Sequence, residues 1–380
     1  MEMGQGTERT IKRQRVVIKI GTSTLTNGGR SLSRPAMLQI CQQVVQLREL
    51  GHQVVLVCSG SVAAGRELLG ERKGSSTVST KQMLSSIGQV RLMHTWSELF
   101  GIFHHTVGQV LLGRGDCIRR RRYLNVRDTL ESLLSHGVIP IINENDPVAT
   151  EELCFGDNDN LAALVANLIG SDLLILVTDQ EGLFTADPRV EPDAQLVPQL
   201  DWISEEVLRS VEPKSSSELG TGGMWTKLEA AKLAAETGIP TVISSLSQPQ
   251  LFLRVVNGES VGTRIAAATA KREGRKRWLL TEPSSGVVYI DEGAFSILRT
   301  KGASLLPVGV CRVEGYFKRG AVVEVLCPDG KACARGVVSY GSEEIEKIQG
   351  CKTSEIVGQL GYSRGNEIMH RDNLVLLEEV

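Results

Sequence analysis

Residues 160–178 read NLAALVANLIG followed by SDLLILVT, and this stretch decides the predicted fold. Its first half has the apolar spacing of a helix and closes on a glycine, Gly170, as helices often do. Its second half is an uninterrupted apolar run, which is typical of a strand buried on both faces of a parallel sheet. The stretch therefore predicts one helix-and-strand unit of an α/β fold.

The same alternation of apolar strands and helical segments continues to about residue 270. Further strands are predicted at 15–20, 53–59, 137–142 and 239–244, and further helices at 36–51 and 226–238. This alternation predicts an open, largely parallel sheet with helices on both faces. In sheets of this kind, ligands bind at the carboxyl ends of the strands.

The character of the sequence changes beyond a small, basic stretch at 266–277. Short apolar runs separated by turn residues follow, which favours a compact, mostly antiparallel β-domain of about 90 residues. The predicted divisions are a catalytic domain over 1–268, a linker over 269–277, and a β-domain with a C-terminal tail over 278–380.

The composition of the 380 residues excludes several classes of protein. No run approaches the roughly 20 apolar residues of a membrane span, and the polar start lacks a secretory signal, so we expect a soluble, cytoplasmic protein. Its 8 cysteines form no CxxC pair and no Cys/His cluster at zinc spacing, so no metal site or redox motif is predicted from them. A net charge of −2 gives no electrostatic reason to expect nucleic acid.

Polar or glycine-rich residues follow the predicted strands. Lys19, close to Gly21, is a candidate for binding a phosphate, but a surface lysine that precedes a turn would give the same sequence pattern. The small residues of 59–65 suit an anion at a helix start, or close packing of a strand and a helix. The stretch 220–227 combines glycines, a helix start and a first-turn lysine, which is typical of a phosphate cradle.

Two clusters of Asn and Asp are more informative. One, at 143–146, follows a strand, and the other, at 156–160, directly precedes an apolar helix. Helix capping would explain Asp159 or Asn158 alone, but it does not explain two clusters. The clusters therefore predict a site that receives an ammonium group, orients side chains or supports a metal. The loop 178–189 is a candidate contact for a nucleotide base or ribose.

Several common signatures are absent from the sequence. It contains no P-loop, no GxGxxG after the first strand, no protein-kinase set and no GxSxG elbow. Its 6 histidines are scattered, and none lies near a candidate nucleophile. The arginine run 119–122 is predicted to be a solvated loop, with a loop over a polyanionic or dicarboxylate ligand, and then nucleic-acid contact, as alternatives.

In this order the motifs resemble the glutamate 5-kinases of the amino-acid-kinase family. The resemblance rests on VVIKIGTS, LVCSGSVAAG, PIINENDPVAT, GDNDNLAALVA, LVTDQEGLFTADPR and GTGGMWTKLEAA, and in the tail on DEGAFSIL, SLLPVGV and GYFKRG. It implies an amino-acid-kinase fold, an open α/β/α sandwich, followed by a PUA domain, a small β-barrel. It also implies ATP- and Mg²⁺-dependent phosphorylation of the side-chain carboxylate of L-glutamate to L-glutamyl 5-phosphate, the first step of proline biosynthesis.

The resemblance implies roles for single residues. Lys19 and Lys227 would contact the transferring phosphoryl group, and Asp159, with Asp157, would organise the lysines or the magnesium-bound nucleotide. Glutamate would be bound by Ser59, Asp146 and Asn158, with Asn143 close by. ATP would be held by Lys19, Thr178, Asp179, Thr221, Gly222, Gly223, Met224, Trp225, Thr226 and Lys227. No protein metal ligand is predicted.

The resemblance also implies proline as a feedback inhibitor, a homo-oligomer, and handover of the product to glutamyl phosphate reductase. Two features depart from the family pattern: Trp225 is bulkier than expected, and Gly113–Gly115 with the arginine run replaces a more acidic loop.

Two other readings compete with a glutamate kinase. Kinases of the same fold act on acetylglutamate, aspartate, carbamate or UMP, but the Asn/Asp clusters favour a substrate with a free ammonium group. An RNA-binding role for the β-domain is disfavoured, because residues 276–361 carry 11 Lys/Arg against 10 Asp/Glu, a balance of only +1. A catalytically silent regulator would not need both lysines and both acidic clusters.

Overall fold

The computed structural model describes residues 13–70, 77–118, 120–149, 158–211, 223–267 and 283–377. The chain divides into two compact units, residues 1–269 and 270–380. The domain limits proposed from the sequence stay a prediction, because they fall within residues 268–282, which lie outside the described ranges.

An eight-stranded sheet, counted over the described residues, forms the centre of the first unit. Its strands are β1 (Arg15–Ile20), β2 (Gln53–Cys58), β3 (Val107–Leu112), β4 (Ile139–Glu144), β5 (Leu173–Thr178), β6 (Gln199–Leu200), β7 (Thr241–Ser245) and β8 (Thr263–Ile265). They lie in the order β3-β4-β2-β1-β5-β7-β8-β6, and among these strands only β7 and β8 pair antiparallel. The prediction of a largely parallel sheet is therefore confirmed.

Helices cover both faces of this sheet. They are α1 (Thr22–Thr26), α2 (Arg34–Glu49), α3 (Ser61–Leu69), α4 (Val78–Gly101), α5 (Arg114–Ile118), α6 (Arg120–Ser135), α7 (Asn158–Leu168), α8 (Glu205–Ser210), α9 (Met224–Glu236) and α10 (Leu251–Val256). A 3₁₀ turn at Asp146–Val148 follows β4. Within the ranges that the structure describes, no helix is long and apolar enough to cross a membrane.

The central strand β1 contributes to two cores, because successive residues of a strand face opposite sides of a sheet. Val16, Ile18 and Ile20 pack with α2, α4 and α10 on one side. Val17 packs with α6, α7 and α9 on the other side. Lys19 has the same parity as Val17, so its side chain leaves β1 on the side of α7 and α9.

The elements predicted from the sequence lie close to their observed positions. The strand at 15–20 matches β1, and the other predicted strands and helices of this unit differ from the observed ones by two residues or fewer at their ends. The predicted helix stops after α7 and α9 are confirmed, since Gly170 and Gly238 have φ of 60° and 80°, a conformation that favours glycine. Strand β3 and helix α4 have no counterpart among the predicted elements.

The arginine run is helical where the structure describes it, so the prediction of a loop is wrong for residues 120–122. These residues open α6, whose later turns bury Leu130 and Leu134 against the sheet, and that packing favours a helix in this segment. Arg122 Nη1 lies 3.0 Å from Asp116 Oδ1 of α5. Residue 119 lies outside the described ranges.

The second unit has its own sheet and core. Its elements are β9 (Val287–Ile290), α11 (Glu292–Lys301), β10 (Val310–Glu314), β11 (Val322–Leu326), β12 (Ala332–Val337), α12 (Ser342–Ile348), α13 (Ile356–Leu360) and β13 (Leu374–Leu376). The strands lie in the order β10-β9-β11-β12-β13, and of the described pairs only β9 with β11 is parallel. The predicted, mostly antiparallel β-domain is therefore confirmed. Helix α11, whose first turn is capped by Asp291, was not predicted.

Candidate active site

A buried carboxylate, Asp159, connects two lysines from different elements. Lys19, near the end of β1, places its Nζ 2.6 Å from Asp159 Oδ1. Lys227, in the first turn of α9, places its Nζ 3.1 Å from Asp159 Oδ2. Asp159 is 0% exposed, and the two lysines are 2% and 4% exposed. The fold thus brings together three residues that lie far apart in the sequence.

Local structure explains why these side chains meet. Lys19 leaves the central strand on the side where α7 and α9 pack. Asp159 lies in the first turn of α7, where the helix dipole favours a carboxylate. Thr226 of α9 donates a hydrogen bond to Asp159 Oδ2 at 3.2 Å. The carboxylate is therefore held by a strand on one side and by the start of a second helix on the other.

The three charged groups, two ammonium groups and one carboxylate, sum to +1. Charges buried to this extent interact strongly, because little water screens them. The cluster therefore suits an anionic group such as a phosphoryl group.

A group of amide side chains lies next to the lysine cluster, where β2 and β4 end. The Nδ2 of Asn158, which opens α7, lies 2.9 Å from Ser59 Oγ and 2.9 Å from Asn143 Oδ1. It also lies 3.1 Å from the carbonyl oxygen of Cys58. Asn143 in turn donates from its Nδ2 to Gln89 Oε1 of α4 at 2.8 Å. Because Asn158 directly precedes Asp159, the amide group and the lysine cluster share the start of α7.

Asp146 lies in the 3₁₀ turn after β4 and is held by two serines. Its Oδ2 accepts a hydrogen bond from Ser85 Oγ of α4 at 2.6 Å and from Ser61 Oγ of α3 at 3.2 Å. The two hydroxyl oxygens lie 3.0 Å apart. No described residue donates a hydrogen bond to Oδ1, which leaves that oxygen for a ligand.

Two buried polar atoms of this region have no hydrogen-bond partner among the described residues. They are the acceptor Asn158 Oδ1 and the donor Gln89 Nε2. A buried polar atom without a partner costs about 1–3 kcal/mol, so a ligand that supplies the missing partner is favoured. An amino acid carries both an ammonium donor and carboxylate acceptors, and it fits this set of atoms.

The residues predicted to hold ATP are described in part. Thr178 ends β5, the neighbour of β1, and Asp179 follows it; Thr178 Oγ1 donates to Asp179 Oδ1 at 3.0 Å. Gly223 directly precedes α9, which Met224 opens. Thr221 and Gly222, and also Asp157, lie outside the described residues.

The bulky Trp225 lies in the first turn of α9, directly before Thr226 and Lys227 in the sequence. It is half-buried, packs against the core on the side of α7 and α9, and lines a surface cavity of about 410 Å³ with residues of α8 and α9. The next two residues, Thr226 and Lys227, face Asp159 instead. The indole therefore belongs to the outer side of α9 and makes no described contact with Asp159.

Three polar residues of the site were not assigned a role from the sequence: Ser61, Ser85 and Gln89. Ser61 lies in the small-residue stretch that was noted for its backbone donors. Ser85 and Gln89 lie one helical turn apart on the buried face of α4, whose other buried positions are mostly apolar or small. A polar pair four residues apart on an otherwise apolar helix face could have indicated a functional site, because buried polar groups need hydrogen-bond partners.

Comparison with known proteins agrees with this fold. The family described as the amino acid kinase family matches residues 14–245, and the PUA domain matches residues 286–360. The first match spans more than half of the chain. The chain therefore belongs to the amino acid kinase family.

Curated relatives extend over nearly the whole chain, and they are named glutamate 5-kinase. The chain is 46% identical over 367 residues to the protein of Vibrio campbellii, which covers 96% of this chain and 97% of that one. It is 46% identical over 368 residues to the protein of Shewanella amazonensis, with 97% of each chain covered. It is 47% identical over 365 residues to "Glutamate 5-kinase 2" of Pseudoalteromonas translucida, a match that covers 96% of this chain and 99% of that one. The resemblance drawn from the motifs is confirmed.

Proposed function

We propose that the protein catalyses the ATP-dependent phosphorylation of the side-chain carboxylate of L-glutamate to L-glutamyl 5-phosphate, the first step of proline biosynthesis. The observation that carries this proposal is the buried Lys19–Asp159–Lys227 cluster directly beside the amide and carboxylate groups at the ends of β2 and β4. Relatives named glutamate 5-kinase at 46% identity over about the full chain support the choice of substrate.

The nucleophile of this reaction needs no general base. A glutamate side chain, with a pKa of about 4.3, is already ionised at neutral pH. The reaction instead needs in-line placement and relief of the repulsion between a carboxylate and a triphosphate. Lysines that are fixed before the substrates arrive supply that relief without reorganisation during the reaction.

The proposed roles follow from position. Lys19 and Lys227 contact the transferring phosphoryl group, and Asp159 fixes both ammonium groups. Ser59, Asn143, Asp146 and Asn158 bind glutamate, with the open Oδ1 of Asp146 as an acceptor for its ammonium group. ATP is held by Thr178, Asp179 and the segment 221–227, of which residues 223–227 are described.

We further propose that magnesium enters with ATP. The described residues contain no group of three ligating side chains, and both oxygens of Asp159 already contact ammonium groups. Phosphate oxygens would then supply the magnesium ligands, with Asp157 as the sequence candidate for a protein contact. Bound magnesium would offset charge on the phosphates.

The remaining proposals concern partners and compartment. Proline is proposed as a feedback inhibitor and glutamyl phosphate reductase as the acceptor of the unstable acyl phosphate. A homo-oligomer is supported by α4, where Met83 and Val90, two turns apart on one face, are 43% and 73% exposed. A cytoplasmic location is consistent with the free cysteines of the described residues, because thiols stay reduced there.

The test traps the acyl phosphate as a hydroxamate. The protein is incubated with ATP, Mg²⁺, hydroxylamine and one acceptor at a time: L-glutamate, N-acetyl-L-glutamate, L-aspartate or none. We expect hydroxamate with glutamate alone, and suppression by added proline if the inhibitor proposal is right. Hydroxamate with a different acceptor would keep the reaction type and overturn the substrate. No hydroxamate with any acceptor, together with salt-sensitive retention of RNA, would overturn the kinase proposal in favour of RNA binding.

A further inference from the structure

Two polar side chains of helix α4, Ser85 and Gln89, contact residues of the proposed glutamate site. Ser85 is 1% exposed and Gln89 is 8% exposed, and they lie one turn apart on the face that packs against the rest of the unit. A buried polar side chain destabilises the folded protein unless it is hydrogen-bonded. The partners of both side chains are residues proposed to bind glutamate.

Ser85 fixes Asp146. Its hydroxyl lies 2.6 Å from Asp146 Oδ2, the shorter of the two serine contacts to that oxygen. With Oδ2 engaged, the carboxylate cannot rotate freely, and Oδ1 is directed away from the two serines. The orientation of the acceptor proposed for the ammonium group therefore depends on Ser85.

Gln89 fixes the amide of Asn143, and through it that of Asn158. Because Gln89 Oε1 accepts from Asn143 Nδ2 at 2.8 Å, Asn143 must present its Oδ1 to Asn158. Asn158 Nδ2 binds that oxygen at 2.9 Å, which leaves Asn158 Oδ1 as the buried acceptor without a partner. The backbone N–H of Glu144 also donates to Asn143 Oδ1 at 2.9 Å, so Gln89 and Glu144 hold the two ends of this amide; without the acceptor on Gln89, the Nδ2 end of Asn143 loses its partner.

A close crossing of α3 and α4 places these side chains. At Gly88, between Ser85 and Gln89, an added Cβ would lie 1.7 Å from the carbonyl oxygen of Ser61. At Gly65 of α3, an added Cβ would lie 2.0 Å from the carbonyl oxygen of Leu84. The two backbones are therefore in contact, and this contact brings α4 within reach of the strand ends.

We propose that Gln89 and Ser85 are positioning residues for glutamate: they act through Asn143 and Asp146 and set the orientation of the groups that bind the amino acid. This inference rests on the proposed function, which places glutamate at these residues. It predicts effects on the affinity for glutamate and not on the affinity for ATP, because neither side chain contacts the lysine cluster.

The test compares Gln89→Met, which keeps the length of the side chain and removes both its acceptor Oε1 and its donor Nε2, with a matched control on the same helix. Thr95→Val is the control, since Thr95 is also 1% exposed, but among the described residues its hydroxyl bonds only to the carbonyl oxygen of Arg91, within its own helix. We expect Gln89→Met to raise the KM for glutamate about tenfold, the effect of one lost hydrogen bond to a buried group, with the KM for ATP changed less than about twofold. Thr95→Val should leave both KM values unchanged.

A double-mutant cycle tests the route of the effect. In an Asn143→Ala background, Gln89→Met should change the KM for glutamate by less than about twofold, because its partner is absent. Ser85→Ala in an Asp146→Ala background gives a second, independent cycle if Gln89→Met does not fold, because alanine removes the acceptor of Ser85. Additive effects in the cycle, or equal rises in both KM values, would overturn the positioning role. A wild-type protein that produces no hydroxamate from glutamate would instead overturn the proposed function, and the inference with it.

Discussion

Replacing Asp159 by Asn should destabilise the first unit more than any other isosteric change at the site. The substitution keeps the shape of the side chain and removes the negative charge between two ammonium groups at 2.6 Å and 3.1 Å. At an effective dielectric constant of about 20, these contacts correspond to attractions of about 6 and about 5 kcal/mol. Desolvation offsets much of that sum, and removing one partner of a buried ion pair costs about 3–5 kcal/mol in practice.

For a unit of this size, that loss corresponds to a fall in Tm of about 6–20 °C. The assay is thermal unfolding of wild type, Asp159→Asn and Asp146→Asn, each with and without MgATP. Asp146→Asn is the matched control, because that carboxylate is half-buried, has two serine partners and forms no described ion pair. MgATP should raise the Tm of Asp159→Asn by more than that of wild type, since its phosphates return negative charge to the lysines. A Tm of Asp159→Asn within about 2 °C of wild type would refute the reasoning.

Four further results are expected. Lys19→Ala and Lys227→Ala should each lower kcat on the order of 10²-fold or more in the hydroxamate assay, with smaller changes in KM. Asp146→Asn should raise the KM for glutamate about tenfold and leave the KM for ATP unchanged. Gly88→Ala should destabilise the protein by about 1–3 kcal/mol or more in denaturant unfolding, whereas Gly101→Ala at the end of the same helix, where an added Cβ meets nothing within 4 Å, should not. Burial lowers the pKa of His52 below its usual 6.5, so the unfolded chain takes up the proton before the folded protein does as the pH falls. The Tm should therefore decrease when the pH is lowered from about 6.5, and this decrease should be less steep in His52→Gln.

The sheet and the ends of its strands could be predicted from the sequence, because continuous apolar runs have few alternatives in an α/β fold. Lys19, Asn143 and Thr178 were found for that reason: each lies at or near the end of such a run. The Asn/Asp stretch ahead of α7 could also be assigned to a site, since it holds more polar groups than a helix cap requires. The contact of Asp159 with the lysines was expected only as one alternative that the family resemblance implies. The residues alone could not predict it, because it depends on which face of β1 turns towards α7 and α9.

The contribution of α4 was harder to predict. Ser85 and Gln89 follow no strand and match no motif, and a polar residue in a helix is most often exposed. Their burial results from the contact between Gly65 and Gly88, whose sequence positions reveal nothing about mutual distance. A polar pair and a glycine that occur together on the apolar face of a helix therefore indicate a site better than the polar pair or the glycine alone.

The arrangement separates two physical requirements of the proposed reaction. The lysines must be fixed and charged before ATP arrives, and a fully buried carboxylate that contacts both of them meets this requirement at the start of α7. Glutamate must be recognised by uncharged amides and one carboxylate, whose orientations are set by neutral partners on α3 and α4. Because Asn158 and Asp159 are adjacent, a shift of α7 would disturb both requirements at once. Substitutions that displace α7 should therefore impair kcat and the KM for glutamate together, whereas substitutions of Ser85 or Gln89 on α4 should affect the KM for glutamate alone.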